Sequence, residues 1–164
     1  MNDVEKVTNK TVSEGGVLSL LYFDIHTRTK EKAQEIGAGF VQQLLKEPGV
    51  VYAVGEIDEP IQDEDLFSTY VQVKILVKSF SNLVNLCAVH SPFNIEIMKP
   101  DEIVLPLNQV HDTLMNISTV TSDYKKYILE RVTKPEEMER YKKILEQKAE
   151  LGKKLLEKKS KKDD

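Results

Sequence analysis

Asp24 and His26 stand two residues apart in a run of β-forming residues, so both side chains project from one face of an extended strand near its end. A carboxylate beside an imidazole is the start of a general base, the acid orienting the ring and the ring taking the proton. The same pair can begin a metal site, and its plain alternative is a hydrogen bond that closes a strand. The local sequence offers no nucleophile, third ligand or oxyanion donor, so no catalytic residue, metal or cofactor is expected. Instead, Tyr22, Asp24, His26 and Arg28, with Tyr70 and Gln72 from a second alternating segment, form a candidate ligand-binding set. Arg28, a fixed charge with a forked array of donors, would meet an anionic group on a small ligand. The competing reading is a small enzyme that uses Asp24 and His26.

Other chemistry-bearing residues have simpler readings. His90 follows a short helix where the dipole favours an imidazolium cap, and His111 falls on a helix surface. The three histidines share no metal-ligand spacing. Cys87 lies on an apolar helical stripe and is alone, which excludes an intramolecular disulfide and suits a reducing cytoplasm. The acids from Glu56 to Asp65 lack the alternating ligands and turn glycine of a calcium loop and read as a solvated loop. No apolar run reaches the ~20 residues that span a bilayer, so no membrane partner is expected.

These side chains must be positioned by a chain of 164 residues, enough for one core with appendages. Residues 17–26 and 67–78 alternate as strands, the second with Val71, Val73, Ile75 and Val77 facing a core. Between them lie a helix capped at Thr27 or Thr29, a Pro48-Gly49 stop and a strand over 50–57. A second helix capped at Ser79 or Ser81 and a strand through Phe93, Ile95 and Ile97 follow. This order predicts an α+β fold, a ferredoxin-like βαββαβ sandwich with a four-stranded antiparallel sheet, over 17–105. Its open face, with Leu18, Leu20, Tyr22, Tyr70 and Leu76, is expected to be covered by a second copy or by the C-terminal helices. A homo-oligomer joined through that face is the partner expectation.

Residues 1–16 are polar and read as a flexible segment, while 106–157 read as a C-terminal helical extension and 158–164 as a disordered charged tail. The β-branched stretch Ile117 to Thr121 is a poor helix interior after which Ser122 could recap, so the helix can break there, and Gly152 interrupts the last helix. The formal charge of −4 divides unevenly, about +3 from Lys134 onward and about −7 before it. Without interleaved arginines or stacking aromatics the basic end does not read as a nucleic-acid site.

The stretch LLKEPGVVYAVGEIDEPIQDEDLFSTYVQVKILVKSFSNLVNL, with the Pro48, Gly49, Val50 turn between helix and strand, resembles the ACT-like effector-binding domain of leucine- and asparagine-responsive transcriptional regulators. The helix-turn-helix of those regulators has no room in residues 1–16. The resemblance therefore implies a domain that pairs through its sheet, here as an oligomerising regulatory or small-ligand-binding module without catalysis. A third reading makes the C-terminal helices an interaction handle for a protein or nucleic acid.

Overall fold

The computed structural model describes residues 2–160. Within them the fold is α+β, with five helices and an antiparallel sheet of five strands. The order is α1 (Asp3–Ser13), β1 (Val17–Thr27), α2 (Lys30–Leu44), β2 (Val50–Ile57) and β3 (Ile61–Asp63). It continues with β4 (Leu66–Val77), α3 (Phe80–His90), β5 (Asn94–Lys99), α4 (Leu107–Val132) and α5 (Pro135–Ser160). The long strands lie in the order β2, β4, β1, β5, and β3 pairs with β4 alone. Two compact units result, residues 2–120 and 121–160.

Period-two alternation sends Val17, Leu21, Phe23 and Ile25 of β1 and Val71, Val73, Ile75 and Val77 of β4 to one face, where all are buried. Ala33 and Leu44 of α2 and Leu83 and Leu86 of α3 close the core over them. Phe23 and Phe40 meet edge-on with ring centres 4.6 Å apart. The helices start where the sequence places caps: Thr29 Oγ1 accepts from the Lys32 amide, and Ser79 Oγ accepts from the Asn82 amide.

Three features depart from the sequence reading. The acid-rich segment after β2 is not all loop. Ile61, Gln62 and Asp63 turn back onto Ser68, Phe67 and Leu66, with Glu64 in the left-handed region at φ 51°, and so supply the fifth strand. Acidic residues are poor strand formers, which hides a hairpin this short.

The opening residues form a helix rather than a flexible lead. Asn2 Oδ1 accepts from the Glu5 amide and Glu5 Oε2 from the Asn2 amide, a reciprocal cap that satisfies two end donors. Thr8 of α1 is buried, its hydroxyl 3.0 Å from Tyr52 Oη, and Tyr52 sits opposite Leu76 on the second sheet face. Leu18 and Leu76, paired across β1 and β4, are 4% and 0% exposed. Thus α1 covers that end of the face, the role expected of a second copy or the C-terminal helices. Gly16 permits the fold-back, because a Cβ there would lie 2.6 Å from the Val77 carbonyl oxygen and 2.7 Å from that of Thr11.

The boundary expected at residue 105 lies later. The first half of α4 belongs to the sheet unit, where Thr113 is buried and Asn116 Nδ2 donates to Ser81 Oγ at 3.3 Å. No break occurs near Ile117, where Thr119 bonds its hydroxyl back to the Met115 carbonyl at 2.9 Å within a continuous helix, and α5 passes through Gly152 uninterrupted. Residues 158–160 close α5; the rest of the expected tail lies outside the described residues. In the 121–160 unit Leu129, Thr133, Met138 and Tyr141 are half-buried around the turn, and the other residues through 159 are exposed. No helix of the described residues is long and apolar enough to cross a membrane. At the sheet edge, all six residues of β5 are exposed, Ile95 and Ile97 by 43% and 46%.

Candidate functional site

The face of β1 opposite the core carries Leu20, Tyr22, Asp24 and His26 in sequence, and α1 stops short of the last three. The β1–β4 register sets Tyr22 against Gln72, Asp24 against Tyr70 and His26 against Ser68. One further register step brings Glu56 of β2 beside Gln72, and Asn94 of β5 beside Tyr22. Five of the six predicted site residues therefore share one patch. Arg28 lies past the end of β1, exposed in the turn that leads into α2.

An aromatic cluster forms the centre. Tyr22 and Tyr70 have ring centres 6.1 Å apart, and Phe93, in the turn before β5, stands 6.2 Å from the first and 6.3 Å from the second. All three pairs are tilted or edge-on, the geometry ring quadrupoles favour. Both tyrosines are half-buried, and Phe93 is 59% exposed.

Carboxylates hold the rim. Tyr22 Oη donates to Glu96 Oε1 at 3.3 Å. Partial desolvation, then the Glu96 charge and hydrogen bond, keep the Tyr22 phenol above its ordinary pKa. For Tyr70 the largest cause is a hydrogen bond to the Asp58 carboxylate, followed by that charge, desolvation and Tyr22, all raising it. Asp58 is itself anchored, its amide donating to the Tyr70 carbonyl at 3.1 Å and its carbonyl accepting from Thr69 Oγ1 at 2.6 Å.

At the strand end His26 bridges two partners, Asp24 Oδ2 at 2.9 Å from Nε2 and Ser68 Oγ at 3.0 Å from Nδ1. An ionised carboxylate only accepts, so Nε2 carries the proton toward Asp24, and in the neutral ring Nδ1 accepts from the Ser68 hydroxyl. Serine, histidine and aspartate are thus connected in the order of a nucleophilic relay. The sequence reading missed Ser68 because 42 residues separate it from His26 and register alone joins them.

The other flagged residues are structural. His90 is almost fully buried, its Nε2 donating to Glu47 Oε1 at 2.8 Å and its ring edge-on to Phe40 at 5.6 Å, so it ties the end of α3 to the turn after α2. Cys87 is half-buried, and burial pushes its thiol pKa up, away from the reactive thiolate. Among the described residues no three His, Cys, Asp or Glu side chains gather as a metal ion requires.

Comparison with known proteins matches no curated protein and no solved structure. One family model does match, over residues 19–154, a stretch running from β1 into α5. The chain therefore belongs to the MJ0538 family.

Proposed function

We propose that the protein is a non-catalytic binding module, working as an oligomer, that recognises a cationic group on the uncovered part of its sheet. The strand order β2, β4, β1, β5, with α2 and α3 as its two crossovers, supports a ferredoxin-like, ACT-like plait in which β3 is an addition. The observation that carries the reading is the Tyr22, Tyr70 and Phe93 cluster on a face α1 leaves open. The charge around it selects the ligand. Asp24, Glu56, Asp58 and Glu96 project from that face against Lys74 as its fixed cation. An amine gains from the carboxylates and from the ring faces, a cation–π contact worth about 1 kcal/mol on an open surface. An anion would have to bind at Arg28, outside the cluster. The acidic rim likewise opposes a phosphate backbone.

The test is a titration of the full chain followed by NMR, with tetramethylammonium as the cationic probe and acetate as the anionic one. Tetramethylammonium is expected to shift the ring resonances of Tyr22, Tyr70 and Phe93, and Tyr70→Ala to weaken it about fivefold, the equivalent of ~1 kcal/mol. Shifts from acetate alone, centred on Arg28 and His26, would replace this ligand with an anionic one.

The Ser68, His26 and Asp24 relay favours a second reading, an esterase-like hydrolase. His26 would take the Ser68 proton as Oγ attacks an ester's acyl carbon and return it to the alcohol as the ester C–O bond breaks, water would then release the acyl group as acid, and Asp24 would hold the ring. Labelling by a fluorophosphonate at Ser68, with ester turnover reduced about 100-fold or more in both Ser68→Ala and His26→Ala, would establish it over the binding-only reading.

A further inference from the structure

Residues 121–160 pose a problem of stability. They form two helical segments that are half-buried only around their turn, at Leu129, Thr133, Met138 and Tyr141. Isolated helices are marginal in water, and most helical stability in proteins comes from burying an apolar face. Both helices have such a face. In the arm's part of α4, Thr121, Tyr124 and Ile128 recur at spacings of three and four, the last two 65% and 41% exposed. In α5 the stripe runs from Met138 and Tyr141 through Ile144 and Leu145 to Leu151 and Leu155, the last two 59% and 60% exposed.

We infer that these two stripes are the dimerisation surface of the protein, each packing on the arm of a second copy in a small helical bundle. The inference rests on the oligomeric part of the proposed function and assigns it to the arms instead of the sheet. Three observations select a second copy as the occupant. First, the partner must offer apolar helical seams of the same length and spacing, and a second copy brings both. Second, the area suffices. α5 has 26 residues, ~39 Å at ~1.5 Å per residue, and residues 121–132 of α4 add ~18 Å, so a contact strip ~10 Å wide gives on the order of 400 and 180 Å². Together they supply roughly 600 Å² per chain, above the ~500 Å² per partner that a specific interface needs. Third, the two end turns of α5 carry opposite charge, Glu136 and Glu137 in the first and Lys158 and Lys159 in the last. Antiparallel pairing about a two-fold axis places the acidic end of one α5 beside the basic end of its mate. A lipid surface is the rival occupant, but Lys148 lies within the apolar stripe and Glu150 and Glu157 accompany the lysines, unlike a membrane helix with separated faces.

The experiment is light scattering on the full chain, native and carrying Leu151→Lys with Leu155→Lys. The native protein is expected at twice 18.7 kDa and the double variant at 18.7 kDa, with tetramethylammonium binding at the sheet unchanged. A native monomer would overturn both this inference and the oligomeric reading. A double variant that stays dimeric would overturn only the arm assignment and return pairing to the sheet. Should the variant misfold, hydrogen exchange of the native chain decides the matter. Amides of 121–160 are expected to gain protection as protein concentration rises while those of β1 stay constant, and concentration-independent exchange in the arms would sink the idea. So would a monomer whose arms become protected only on anionic phosphatidylserine vesicles.

Discussion

Each half-buried phenol at the centre of the patch is next to a carboxylate, Tyr22 with Glu96 and Tyr70 with Asp58. Both titrate above the ordinary value of about 10, so folding favours their neutral forms. The resulting stability is fully present below pH 10 and is lost as pH rises through the raised values, because the unfolded chain ionises first. A spectroscopic alkaline titration is expected to show two phenols ionising later than free tyrosine, and Glu96→Gln to bring Tyr22 back toward it. Asp24 and His26 are more than half exposed, so removing either is expected to change stability by less than ~1 kcal/mol whatever it does to function. The Ser19 hydroxyl is the opposite case. Buried on the core side without a hydrogen-bond partner among the described residues, it pays for its desolvation unaided, and Ser19→Ala is expected to be neutral or to stabilise by about 1 kcal/mol in urea unfolding.

Among the elements, the turns at glycine are the most sensitive. Gly49 has φ 78° and its carbonyl accepts from the Lys78 amide at 2.8 Å, while a Cβ would lie 2.2 Å from the Asn82 side chain. Gly49→Ala is expected to cost about 1–2 kcal/mol from the left-handed backbone alone, with the displaced Asn82 adding to it. The same scale explains what the sequence revealed. β4 was legible because Val71, Val73, Ile75 and Val77 alternate with polar neighbours, and α2 and α3 because Thr29 and Ser79 announce them. α1 escaped notice because its buried contact is a threonine, Thr8, and Val4 and Val7 stay exposed, although Asn2 and Glu5 spell its cap. Half of the site followed from period two, which puts Tyr22, Asp24 and His26 on one side of β1. Ser68, Phe93 and Glu96 required the register between strands, which no local pattern carries.

In the whole molecule, the second sheet face changes character along its length, core under α1 and surface at the aromatic cluster. Deleting residues 2–15 is expected to expose Leu18 and Leu76 and so to lower stability by several kcal/mol, at roughly 2 per buried leucine, with dye binding at the bared end as the readout. β5 brings a different hazard. It ends the sheet with one side of its backbone unpaired and two half-exposed isoleucines on the core side, a template for the strand of any neighbouring chain. Glu96 and Lys99 are its wardens, since a stranger aligning with β5 must bring its own charges against theirs or strip them of water. Glu96 therefore serves two masters, the phenol of Tyr22 on its face and the good conduct of its edge, and a variant made to probe the first will report on the second as turbidity.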